Sequence, residues 1–559
     1  MTELRTKPTL WLLCIVVLAI SLSSVIATAW GSQPQTISNA VVNYPLAADV
    51  SAPLRDLPAT PYLAPTAQRT IPILPTKSLT ASVQGAASPT SIPGPAINVT
   101  VGLNFEGVGN GVPNNCPNVS GATVAPPDTN AAVGDTQVVQ WVNLCYAVFD
   151  KSTGALLAGP FPGNRFWSGF KSSCASANNG DPIIQWDKAN HVWVASQNVF
   201  GPFLTCIAIS TTADATGSYN RYAFSQPGFP DYPKWGLTPS VYYQTQNDFG
   251  PAAQAFVGVN VCAYDGVAMR AGKKNAKQVC ILDNSNGTLF DDSLLPADMD
   301  SDPKSGGSAS PEVLLGSIDN LNPGSNVYEV VMSVNMKKGT ATLTGTNGTM
   351  PIAVPTYNLA TCTMVPPADR PTDCVKQPSP GSDLLDTLGD RLMYRLALFD
   401  DGTTQHFTVT HSVNNTTAVA VRWYEFTAPS GTTTLSLHQS GQTPDDGEYR
   451  WMGSAAHDKV GDIAIGYSRS SAAAGDFPSI YLSGQSVGEP LGTTDAESLV
   501  WQGSGSQSAT DNRWGDYSSM ALDGADFCSF WYTTEYYPAD GSFTWQTRLI
   551  GQIKFPSCH

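Results

Sequence analysis

A strand–turn–strand unit recurs along this chain, and it constrains the fold more tightly than any other feature. Its clearest copy is Arg513-Trp514-Gly515-Asp516-Tyr517-Ser518-Ser519-Met520-Ala521-Leu522-Asp523, followed by a Gly524-Ala525-Asp526 turn and the aromatic run Phe527 to Thr534. A short strand ending in Asp, a Gly/Asp turn and a β-branched, aromatic strand make a β-hairpin. Further copies end at Asp135, Asp187, Pro239, Asp319, Asp400 and Asp458. Seven copies spaced 52 to 81 residues apart, without helical periodicity, predict an all-β fold: a single β-propeller of six or seven four-stranded blades. Two stacked β-sandwiches are the alternative, but they need no hairpin repeated seven times.

The propeller is expected over residues 97–559, with its early strand around Val99 to Phe105 closing the ring against the last blade. Ahead of it, residues 30–96 are rich in Pro, Ala, Ser and Thr and read as a disordered linker. Residues 1–29 read as a signal peptide: Arg5 and Lys7, an apolar run from Leu10 to Ile26, then Ala27-Thr28-Ala29 as a cleavage site. That small-residue pattern favours cleavage over an uncleaved anchor. Secretion, outside the cell or into a periplasm, follows, with no membrane attachment once the signal is removed. Cleavage leaves ten cysteines, for which sequence proximity suggests Cys116–Cys145, Cys174–Cys206, Cys262–Cys280, Cys362–Cys374 and Cys528–Cys558. A formal net charge of −16 excludes the basic face of a nucleic-acid binder. The expected partner is an extracellular glycan or protein, bound by a monomer that requires no cofactor.

Inner strands of a propeller begin near one mouth of the central channel, so charged residues just ahead of each repeat are candidates to converge there. In order they are Asp128, Asp181, Asp231, Glu312, Arg391 with Arg395, Arg450 and Arg513. Acids come from the first four blades and arginines from the last three, and the guanidinium fork suits carboxylates or phosphates. Alternatively these charges pair between blades and hold the ring together.

Three arginines from separate blades, with Tyr517-Ser518-Ser519 opening the last, resemble the sialidase superfamily of propellers. The resemblance implies Arg391 (or Arg395), Arg450 and Arg513 as a clamp on a substrate carboxylate, Tyr517 as nucleophile and Asp181 as acid. The family's Asp-box appears in altered form at Ala539-Asp540-Gly541-Ser542-Phe543-Thr544-Trp545. The chain is also similar to secreted bacterial proteins built of Arg-Trp-Gly-Asp-Tyr-Ser-Ser blades, which implies fold and export but no activity.

Weaker signals remain. Asp298, Asp300 and Asp302 alternate like a calcium loop, backed by Asp291 and Asp292, but Pro303 and Ala309 break the EF-hand form, so a solvated acidic loop is the alternative. His406 and His411, five apart on one strand, fall on opposite faces, which speaks against zinc. No Gly-x-Ser-x-Gly elbow occurs. Trp141, Trp186, Trp193, Trp235, Trp451, Trp514 and Trp531 sit inside the repeats and read as packing between blades. The expected function is recognition of an extracellular glycan or peptide at the channel mouth. A sialidase-like glycoside hydrolase and a structural cell-surface protein are the alternatives.

Overall fold

The repeats become sheets. The computed structural model describes residues 33–58, 67–71, 73–74, 92–111, 113–116, 122–251, 255–284, 292–301, 311–317, 323–362, 373–378, 384–509 and 512–559. The expected signal peptide and the markers Asp291, Asp302 and Asp319 lie outside these residues. The described chain is nearly all β, arranged as successive antiparallel meanders in a propeller-like plan.

The innermost strands are Asn130–Val133, Ile183–Asp187, Phe229–Leu237, Leu295–Met299, Leu392–Asp400, Tyr449–His457 and Ser519–Leu522. Side chains tie each to its neighbour. Ile184 N–H donates to Asn130 Oδ1 at 2.9 Å, Gln185 Nε2 to Trp235 O at 3.0 Å, and Leu237 N–H to Asp298 Oδ1 at 3.2 Å. The fourth and fifth strands pair directly and in parallel, Ala297 opposite Leu396. Thr410 Oγ1, from the second strand of the fifth sheet, donates to Gly453 O at 2.7 Å, and Met520 N–H to Ser454 Oγ at 2.9 Å. Ser519 Oγ donates to Ala131 O at 3.3 Å, from the seventh sheet to the first. In that seventh sheet Thr100–Glu106 pairs antiparallel with Gln546–Lys554 as its outermost strand.

Two expectations need correction. Leu295–Met299, not the strand at Glu312, is the innermost strand of the fourth sheet; Glu312–Ser317 is its second strand. The described part of 30–96 is also not disordered. Gln35–Ile37, Val41–Asn43 and Ala47–Val50 each add an outer strand, to the fourth, third and second sheets in turn. Ala67–Thr70 and Ile92–Ala96 pair in parallel with Ala122–Ala125 and Thr493–Ala496. Three or four residues suffice because the partner edge supplies the hydrogen-bonding template. The segment is a strap around the sheets.

The tryptophans pack as expected: Trp141, Trp193, Trp235, Trp451, Trp514 and Trp531 are essentially inaccessible, and Trp186 nearly so. Sheets approach so closely that a Cβ on Gly134 would stand 2.5 Å from Trp193 of the second sheet. The five disulfides join the pairs suggested by proximity, across separations of 12 to 32 residues. Loops of this size give about 3 kcal/mol each in the chain-entropy account. Five disulfides fit an oxidising compartment, and among the described residues no helix is long and apolar enough to cross a membrane.

Candidate functional site

Near the start of each of the seven inner strands stands a non-glycine residue with left-handed backbone: Asp128 (φ 49°), Asp181 (50°), Tyr232 (52°), Ser293 (49°), Leu388 (42°), Met452 (52°) and Asp516 (59°). Asp is among the few side chains that tolerate this region, because its short carboxylate bonds locally. Residues held this way cluster at functional sites. Five of the seven line one crevice.

That crevice is bounded by Asp128, Asp181, Asp231, Tyr232, Arg391, Arg513, Asp516 and Tyr517, with Ile71, Ile73 and Leu74 of the strap across it. It encloses about 390 Å³, open mouth included. Five of the sequence candidates thus meet with Tyr517, drawn from the first, second, third, fifth and seventh sheets. The guanidiniums already have counter-charges. Arg391 grips Asp390 through Nε and Nη2, both at 2.8 Å, while Arg513 donates to Asp386 at 2.8 Å and Asp516 at 2.7 Å. Its Nε donates to Ile71 O at 2.8 Å, so a strap carbonyl is already bound at the mouth.

The aspartates are less well matched. Asp128 Oδ2 accepts from Asn143 Nδ2 at 3.0 Å, but its Oδ1 has no hydrogen-bond partner among the described residues. Asp181 Oδ2 accepts from Tyr232 N–H at 3.0 Å. Burial, then neighbouring carboxylates, pushes Asp128 and Asp231 well above the usual carboxyl range. Burial takes Asp181 up to about 6 against the Tyr232 hydrogen bond. Arg513 and Arg391 are the stronger cations for Asp128 and Asp231, and the buried Lys234 is the one Asp181 feels most, with Nζ 3.4 Å from the Tyr232 ring centre and 4.1 Å from that of Tyr517. Burial lowers its pKa to about 7, while Asp181 and Asp128 work the other way. Perturbed groups gathered in a crevice mark a candidate site.

Lys234, Tyr232 and Asp516 escaped the sequence reading. Asp231-Tyr232-Pro233-Lys234 looks like a turn, and Asp516 lay inside the seventh repeat itself.

Other candidates go elsewhere. Glu312 lies away from the crevice, as its second-strand position dictates, and lines a separate hollow with Met299, Asp400 and Phe407. Arg450 lies in the ladder opposite Arg469, because its strand starts one residue earlier, and it binds Asp446 and Glu497 at 2.8 Å each. Arg395 is buried against Asp298 and Asp300, and its Nε donates to Met520 O at 2.9 Å. The three-arginine clamp therefore does not assemble. Asp298 and Asp300 are buried in ion pairs rather than set in a solvated loop, with Lys188 Nζ 2.7 Å from Asp300 Oδ1. Tyr517 is buried, donates to Pro182 O at 3.3 Å, and is held well above its ordinary pKa by burial and then Asp128. A nucleophilic tyrosine needs the reverse.

This fold and crevice define a nearly all-β, propeller-like protein with a carboxylate-rich mouth. No family model and no curated relative matches the chain. Solved structures that are similar to it are sialidases and other propeller proteins. Trypanosoma rangeli sialidase in complex with the inhibitor DANA aligns at 10% identity and a TM-score of 0.29, over 67% of this chain and 54% of that one. The subtype N11 neuraminidase-like protein of A/flat-faced bat/Peru (H18N11) aligns at 9% and 0.31, over 73% and 100%. Drosophila Semaphorin 1b, extracellular domains 1–2, aligns at 6% and 0.35, over 81% and 87%. The chain thus spans about half the length of the trypanosomal sialidase.

Proposed function

We propose that this chain is a secreted, single seven-bladed β-propeller that binds an extended extracellular peptide at its channel mouth. The observation that carries this reading is the strap: Arg513 holds the Ile71 carbonyl beside four aspartates from four sheets. Such a mouth suits backbone carbonyls on one side and an ammonium or guanidinium on the other. The strap is then the resident occupant that a ligand displaces. A glycan is the second ligand class, since the same carboxylates accept from sugar hydroxyls. Hydrolysis of sialosides ranks below both, because the clamp is missing and the Tyr517 phenol is kept protonated. A purely structural role ranks last, because Asp128 Oδ1, buried at the mouth, has no hydrogen-bond partner among the described residues.

Peptide and glycan arrays probed with the mature protein separate these readings, alongside a fluorogenic sialoside. Asp231→Asn preserves shape, and the expected result is binding of cationic peptides that falls at least tenfold in the variant, with no sialoside turnover. Turnover lost in Tyr517→Phe would restore the hydrolase, and binding indifferent to Asp231 would remove the mouth as the site.

A further inference from the structure

Outside the crevice, two imidazoles and a carboxylate converge where the fifth sheet meets the sixth. His406 is on Thr404–Asn414 and Glu425 on the adjacent Val419–Pro429. Thr427 stands opposite His406, so Glu425, two residues before it, falls on the same face. His457 ends the innermost strand of the sixth sheet, and its ring stacks on His406 with centres 4.6 Å apart and planes 24° apart. His406 Nδ1 lies 2.6 Å and His457 Nε2 3.7 Å from one oxygen, Glu425 Oε1. All three candidate ligand atoms lie within 4.8 Å of one another.

We propose that His406 Nδ1, Glu425 Oε1 and His457 Nε2 form a binding site for a divalent first-row metal ion, zinc foremost, with water completing the coordination. Two imidazoles and a carboxylate are the donor set such ions take, at about 2.0–2.2 Å from each ligand. Donors around a tetrahedral ion then stand about 3.3 Å apart. The observed separations bracket that value, so side-chain adjustments admit the ion without moving a strand. The groups behind these donors are equally suited. Gln439 Nε2 donates to Glu425 Oε2 at 2.6 Å, leaving Oε1 to face the imidazoles. Asp401 Oδ2 stands 3.7 Å behind His406 Nε2, placed to accept its N–H and fix the tautomer with Nδ1 free for the metal. Asp401 is held by Thr403 and Thr404, whose backbone N–H groups donate to its Oδ1 at 2.7 and 2.8 Å. His406 is partly exposed and Asp401 more so, which gives the ion a way in.

His411 takes no part. It is buried with its ring 4.9 Å from Tyr357, on the opposite face from His406 as alternation requires. His406 and His411 therefore cannot share an ion, and a site spread over three strands of two sheets leaves no local motif.

The test is a zinc titration of untagged, chelator-treated full-length mature protein by calorimetry, with cobalt absorption as a second readout. One zinc per chain is expected, with a four-coordinate cobalt spectrum. His457→Gln and Glu425→Gln are expected to weaken zinc at least a hundredfold, while His191→Gln, at the surface, leaves affinity unchanged. Melting curves without metal establish that each variant folds. Absence of stoichiometric binding, or affinity unchanged in both folded variants, overturns the site.

Discussion

Lys234→Met is expected to lose about 2–4 kcal/mol of stability relative to wild type as pH rises from 6 to 8, about 1.4 kcal/mol for each pH unit over which a carboxyl keeps a proton that wild type has released. In wild type the ammonium, lowered by burial to about 7, gives up its proton over the same range, which relieves its burial cost. Its neighbours Asp128, Asp181 and Asp516 belong to other sheets, and without it they face one another and Tyr517. Asp181 has a folded pKa near 6, above its ordinary value of 3.8, so its contribution is present below about 4 and disappears as pH rises through 6. Removing the ammonium pushes such carboxyls higher still, so the variant goes on losing stability above pH 6, where wild type has levelled off. Urea unfolding at pH 6 and pH 8 measures this; a difference between the two proteins that stays constant across that range would contradict the buried cluster.

A loss of about 3–5 kcal/mol is expected for Arg395→Met. Arg395 is buried, neutralises Asp298 and Asp300 and holds the Met520 carbonyl, so one side chain ties the fourth, fifth and seventh sheets. Lys188 pairs directly with Asp300 Oδ1 and acts on Asp298 only from a distance. Adding Asp300→Asn should recover part of the loss by removing a stranded charge, whereas millimolar calcium should not shift the melting point of wild type. Full stability in Arg395→Met, or a calcium-dependent rise abolished by Asp298→Asn, would return these aspartates to the cation reading.

The two predictions show what the sequence could and could not convey. Six of the seven repeats were legible because each carries its own hairpin: alternating residues and a short turn, with a terminal Asp in all but the third, are local chemistry. The fourth was read one strand late because Leu295-Pro296-Ala297-Asp298-Met299 is short, contains Pro, and leads into acids that mimic a loop. Asp128, Asp181, Asp231, Arg391 and Arg513 were found because an offset from the hairpin is a local rule. Arg450 obeyed that offset but not the geometry, since its strand starts earlier and its bulge lies between Trp451 and Ser454. The strap had no pattern of its own to read; its strands exist only because a folded edge templates them. Lys234 was hidden for a different reason. A lysine gives no hint in sequence that three rings and three carboxylates will close around it.

The zinc-type cluster extends the same lesson. His406, Glu425 and His457 are 19 and 32 residues apart along the chain, and only the contact between sheets brings them together.

Whether charges from separate sheets truly share one crevice is decided most directly by a double-mutant cycle between Lys234 of the third sheet and Asp128 of the first. Residues over a hundred positions apart in sequence couple only if the fold brings them within reach. The account predicts that Lys234→Met and Asp128→Asn interact by about 1–3 kcal/mol at pH 6, the double variant being more stable than the sum of the singles implies. Additivity within about 0.5 kcal/mol would mean that these side chains do not meet, and the proposed mouth would fall with them.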